Sequence, residues 1–174
     1  MITQPFQGKS PQIDPTAWIA ENAVIIGDVT IGPGVSIWYN CVVRGDTNRI
    51  IIGAKTNVQD GTIIHAETVG GPTLIGERIT IGHGAIVHGC EVEDDCLIGM
   101  GAIVLSYSKI GTGSLIAAGA LVKENEVVPP RTIMAGVPAK PRGAVSDEML
   151  VRINLSCEHY LELAEEYRRT SNRP

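Results

Sequence analysis

The sequence predicts a mainly β chain: a parallel β-helix of six-residue repeats followed by a C-terminal α-helix. The first observation behind this is a beat of apolar β-branched residues every six positions, at Ile25, Ile31, Ile37 and Val43. It resumes at Ile52, Val58 and Ile64, then at Ile75, Ile81 and Val87, and finally runs Val92, Ile98, Val104, Ile110, Ile116 and Val122. A period of six matches neither the 3.6 of a helix nor the two of a half-buried strand, but it fits one side of a three-sided coil. The second observation is composition. Twenty glycines and a single Phe among 174 residues imply a core assembled from small repeated units. The third is the ending: "SDEMLVRINLSCEHYLELAEEYRR" carries apolar residues at helical spacing.

Each element follows from these signals. The marker residue of each repeat points inward, and the residue after it, often Gly as in "IIGDVTIGPGVSI", makes the corner, where positive φ is commonly needed. Successive coils stack at strand spacing, roughly 4.8 Å. "RGDTNRI" and "HAETVGGPTL" insert extra residues between markers, and such loops tend to cluster on one face, often the binding face. The array is expected to occupy 1–128. A Pro/Gly-rich linker over 129–145 continues neither sheet nor helix. The helix spans 146–170, with Ser146 as N-cap and Asp147 and Glu148 in its first turn. Its apolar stripe is Met149, Ile153, Cys157, Tyr160/Leu161, Ala164 and Tyr167. The three parts form one domain.

A net charge of −5, with "YRRTSNR" as the only locally basic stretch, argues against a nucleic-acid partner. No apolar run is long enough to span a membrane, and none follows basic residues as in a signal peptide, so a cytoplasmic protein is expected. The four cysteines form no CxxC pair and read as reduced, buried thiols.

Three of the four histidines, His65, His83 and His88, fall within 24 residues. Phasing the markers puts Val43, Ile64 and Val87 on one side in consecutive coils. Arg44, His65 and His88 then form a column at one corner. His83 and Asp60 each follow their markers by two and form a second column, beside Gln59, at another corner. Two histidines one coil apart can share a metal, whereas His83 lies too far away in the same chain and would have to come from a neighbour. Packing three chains around an axis gives three interfacial sites. Three neutral imidazoles with an open fourth position suit catalytic Zn²⁺, and Fe²⁺ or Co²⁺ would accept them as well.

The stretch "VVRGDTNRIIIGAKTNVQDGTIIHAE…IGHGAIVHGC" resembles the γ-class carbonic anhydrases, from about residue 10 to the C-terminal helix. The resemblance implies a left-handed β-helix and a homotrimer with metal sites shared between chains, converting CO₂ and water to bicarbonate. It assigns His65, His83 and His88 as metal ligands, with His83 supplied in trans. Arg44 and Asp60 match an ion pair across the interface, and Asp46 matches a second carboxylate of that network. Gln59 matches the residue that hydrogen-bonds the nucleophile, Asn57 helps orient it, and Tyr160 matches a tyrosine that enters the site in short members. Thr47 stands where the active archaeal members carry a carboxylate, and the second insertion offers Glu67 alone. That departure implies slow turnover or proton removal by buffer. Two other classes remain: an acyltransferase or thioesterase of the same fold, and a non-catalytic trimeric scaffold stapled by metal.

Overall fold

A computed structural model of the chain describes residues 1–170. It is a left-handed parallel β-solenoid of about seven coils with a C-terminal helix. All sixteen marker residues point inward and are at most 2% exposed, so the six-residue beat is the core itself. The beat also extends beyond the markers named above. Ile13 and Ile19 pair with Ile31 and Ile37 in an earlier coil, and Val128 and Met134 stack on Ile110 and Ile116 in a later one.

The coils have three faces. The first carries Val24–Ile31 in its N-terminal half, Val42–Ile52 likewise, then Ile63–His65, Ile86–His88, Ile103–Val104 and Leu121–Val122. The second carries the C-terminal halves of the two long strands, then Thr73–Ile75, Glu91–Val92, Lys109–Ile110 and Val127–Val128. The third runs from Trp18–Ile19 to Thr132–Ala135. Both insertions leave the corner between the first and second faces. Pairing resumes in register after each, Val42 with Ile63 and Ile63 with Ile86. The inserted residues of "RGDTNRI" continue as strand around that corner, because Val42–Ile52 is one unbroken element.

The corner rule needs correction. The residue directly after a marker does not take the left-handed conformation; the third residue does, as at Asn40 (φ 60°) and Gly84 (φ 66°). Glycine follows the marker for a steric reason. A Cβ on Gly99 would meet the backbone nitrogen of Ala118, one coil on, at 2.5 Å.

The segment 129–145, read as a linker, is also different. Thr132–Ala135 pairs in parallel with Leu115–Ile116, and Lys140–Ala144 returns antiparallel to it. Its prolines permit this because Pro129 and Pro130 precede the pairing, Pro138 lies between the two strands, and Pro141 sits in the exposed edge strand.

The helix spans Asp147–Thr170, and the Ser146 hydroxyl accepts from the Met149 amide at 3.1 Å as its cap. It lies on the third face, burying Ile153, Cys157 and Ala164. Trp18, Trp38, Tyr39, Tyr160 and Tyr167 form an aromatic cluster that seats it on the first coils, with ring centroids 4.7–6.2 Å apart. Of the basic stretch "YRRTSNR", residues 167–170 belong to this helix and the rest lies outside the described residues. All four cysteines are buried and unpaired with one another. No helix among the described residues is long and apolar enough to cross a membrane.

Candidate metal centre

The candidate residues separate into two clusters at opposite edges of the first face. At the corner shared with the second face, Arg44, His65 and His88 are strand partners in three successive coils. The chain can turn there because Gly45 has no Cβ; one would lie 2.5 Å from the Asp28 carbonyl oxygen. This brings Asp46 back onto the column. Its carboxylate accepts from His65 Nε2 at 2.9 Å and from the Arg44 guanidinium. Burial alone would raise the Asp46 pKa, but the hydrogen bonds from His65 and Arg44 outweigh it and hold the carboxyl below its usual range.

Proton positions on the two rings follow from their partners. A carboxylate only accepts, so His65 carries its proton on Nε2, facing Asp46, and its Nδ1 is a bare lone pair. That Nδ1 lies 3.1 Å from Nε2 of His88, whose other nitrogen is 2.9 Å from Ser106 Oγ. Burial, and then the neighbouring His65, push the His88 pKa down, which favours the neutral ring. The ring centroids are 5.1 Å apart at a tilt of 52°. Two nitrogen ligands at 2.0–2.1 Å from one tetrahedral ion stand about 3.3 Å apart, so this pair fits a shared divalent cation. Beside it, Thr47 Oγ donates to the Ala66 carbonyl at 2.7 Å and lies 3.4 Å from His65 Nε2.

The second cluster sits where the third face meets the first. His83 Nδ1 is 2.9 Å from Asp60 Oδ2, and both side chains are close to half exposed. Gln59 is buried and donates from Nε2 to Asn57 Oδ1 at 3.2 Å; Asn57 in turn donates to Thr80 Oγ at 2.9 Å. Tyr160 packs edge-on against Trp38, and burial followed by the Asp60 charge raises its pKa. Within one chain Arg44 therefore pairs with Asp46, and Asp60 with His83. His83 and His88 stand at opposite edges of the first face, with the left-handed corner at Gly84 and the strand Ile86–His88 between them. Among the described residues no group of three or more His, Cys, Asp or Glu side chains closes on one point. Burial pushes the Cys90 thiol, two residues beyond His88, up to about 12, and its side chain packs in the hydrophobic core.

Two features escaped the sequence reading. One is Ser106, a buried hydroxyl against His88 that carries no recognisable motif. The other is the outer surface of the first face between the two clusters. It carries Val42, Ile63, Ile86, Ile103 and Leu121 in a row, half-buried to exposed, with Ile63 at 45%. The residue preceding each marker was the available signal for that row.

Comparison with known proteins agrees with this repeat fold. The bacterial transferase hexapeptide (six repeats) family matches residues 10–45 and 89–124. Gamma carbonic anhydrase 2, a mitochondrial protein of Arabidopsis thaliana, is 46% identical over 90% of this chain and 58% of its own length. The chain thus spans less than two-thirds of that plant relative. A Methanocaldococcus jannaschii protein provisionally named a carbonic anhydrase is 45% identical over 84% of this chain and 92% of its own length. Among solved structures, a hexapeptide transferase family protein from Anaplasma phagocytophilum superposes with a TM-score of 0.92. It is 41% identical, covering 95% of this chain and 98% of its own. On the repeat architecture and these relationships together, the chain belongs to the γ-class carbonic anhydrase family of hexapeptide-repeat proteins.

Proposed function

We propose that the protein hydrates CO₂ reversibly at metal sites shared between the chains of a homotrimer. The observation that carries this reading is the His65–His88 pair. With the His65 proton on Nε2 toward Asp46, its Nδ1 lone pair faces His88 Nε2 at 3.1 Å, close to the spacing of two nitrogens bound to one tetrahedral ion. His65 and His88 of one chain, with His83 of the next, would hold the ion, either Zn²⁺ or the related Fe²⁺ or Co²⁺. When bound, the ion supplies the positive charge that acidifies water into a nucleophile near neutral pH, an effect for which carbonic anhydrase is the standard case.

The chain's own residues supply the remainder. Asp46 holds His65 in the ligating tautomer. Asn57 fixes the Gln59 amide, whose remaining acceptor oxygen orients the nucleophile from beside His83. Gln59 and His83 line an open cavity of about 430 Å³ beside Leu97, Met100, Leu115 and Ala118, a mostly apolar surface against which CO₂ can rest. The apolar row on the first face supports the trimer, since it lies between the two half-sites and favours burial against another chain. The Arg44 side chain is 41% exposed, so it is accessible to a neighbour's Asp60.

That cavity also favours a second reading. It is apolar and open to the surface and would accept an acyl chain, which fits thioester hydrolysis or acyl transfer in the same fold. Metal content, CO₂ hydration and acetyl-CoA binding are to be measured on wild type and His83→Ala. The proposal expects a divalent ion and hydration in wild type, both lost in the variant, with no acetyl-CoA binding. Hydration at background in every metal form would leave a scaffold or an acyl-group enzyme, and acetyl-CoA binding separates those two.

A further inference from the structure

We propose that Ser106 and Glu67 are positioning residues that fix the His88 ring with its Nε2 lone pair facing His65. This rests on the reading of His65 and His88 as cation ligands, and it gives the second insertion a purpose. Glu67 stands two residues into that insertion, and its Oε1 accepts from the Thr68 amide at 2.9 Å. Its Oε2 accepts from Ser106 Oγ at 3.3 Å, and Ser106 Oγ lies 2.9 Å from His88 Nδ1. The three groups come from different places in the chain: the loop after Ile63–His65, the strand Ile86–His88, and the corner after Ile103–Val104.

One proton arrangement satisfies every contact from Glu67 through Ser106 to His88. A carboxylate has no proton to give, and a hydroxyl has one. The Ser106 proton therefore points to Glu67, and Ser106 Oγ accepts from Nδ1–H of His88. That leaves Nε2 bare and turned toward His65. The reverse arrangement would set a carboxylate oxygen against the lone pairs of a hydroxyl that donates elsewhere. Glu67 thus does for His88, through one hydroxyl, what Asp46 does for His65 directly. The two carboxylates turn both lone pairs to the same point.

The surrounding backbone is shaped around the relay. Gly89 follows His88, and a Cβ there would lie 2.9 Å from Glu67 Cβ and 3.1 Å from Ser106 Oγ. Gly71 closes the loop by accepting the Glu67 amide at 2.8 Å, and its own Cβ would strike Glu67 Cβ at 2.5 Å. The Tyr107 hydroxyl donates to the Val69 carbonyl at 2.9 Å and pins the loop tip. The insertion is thereby tied at its tip and base with the carboxylate over Ser106.

The test uses the full chain with Glu67→Gln, Ser106→Ala and Ser106→Thr. Glu67→Gln keeps the shape at a partly exposed position but supplies an amide that donates to Ser106. The Ser106 proton must then turn to His88 Nδ1, which moves the ring proton to Nε2. Nitrogen NMR of the metal-free protein should show His88 protonated on Nδ1 in wild type and Ser106→Thr. It should show Nε2 in Glu67→Gln and a mixture in Ser106→Ala. Competition with a chelator for Zn²⁺ should give roughly 10–100-fold weaker binding for Glu67→Gln and Ser106→Ala, with Ser106→Thr near wild type. Unchanged tautomer and affinity within about twofold in both disruptive variants would overturn the relay. If wild type bound no metal, the ligand reading would fail instead, and the tautomer measurement alone would still decide the relay.

Discussion

Replacing Asp46 by Asn isolates the tautomer argument with almost no change in shape. The carboxylate receives His65 Nε2–H at 2.9 Å and the Arg44 guanidinium. In the variant, the amide oxygen stays on Arg44, the stronger donor, and the amide NH₂ turns to His65. Two donors then face each other until the imidazole proton moves to Nδ1, into the 3.1 Å gap with His88. One of the two converging lone pairs disappears. Loss of such an outer partner of a ligating histidine costs about 10–100-fold in metal affinity, or about 1.4–2.7 kcal/mol. The effect on folding should be smaller. Arg44 is 41% exposed, and pairs of that kind contribute less than about 1 kcal/mol. Chelator competition for Zn²⁺ and urea unfolding of the metal-free protein measure the two quantities separately. Wild-type affinity in Asp46→Asn, or an affinity loss no larger than the stability loss, would refute the reasoning.

Other consequences are equally direct. Gly45→Ala and Gly61→Ala should differ in denaturant unfolding. The first sets a Cβ 2.5 Å from the Asp28 carbonyl, whereas the second meets nothing within 4 Å and costs only its left-handed backbone, about 1–2 kcal/mol. Gly45→Ala should be the more damaging of the two. Burial pushes the Cys41 thiol up to about 11 and those of Cys90 and Cys96 up to about 12. Iodoacetamide at pH 8 should leave all four cysteines unmodified in the folded protein and alkylate them in urea; rapid native labelling of any would contradict their burial.

The fold was legible because the six-residue beat and the buried core are the same residues. From Ile25 to Val122 every marker names an inward side chain, and the two insertions alter one corner without disturbing the register. The columns Arg44–His65–His88 and Asp60–His83 follow from that register alone. The 129–145 hairpin was hidden because its prolines read as strand breakers, although they fall at positions that donate no ladder hydrogen bond. Ser106 was hidden for a different reason. A hydroxyl that meets a histidine one coil away leaves no periodic trace, and only three-dimensional contact exposes it. Tyr160 was legible on the helix stripe, where it packs against Trp38.

The sharing of each site between chains is tested most directly by mixing His83→Ala and His88→Ala chains in equal amounts and allowing subunit exchange. Each variant alone lacks one ligand at every site and should hold almost no Zn²⁺. In mixed trimers, a site is whole wherever the His65/His88 edge of a His83→Ala chain meets the His83 edge of a His88→Ala chain. Random assembly around a three-fold axis restores about one quarter of the wild-type metal and CO₂ hydration. A mixture that stays at the level of the separate variants, with exchange verified by mass, would contradict a site built from two chains.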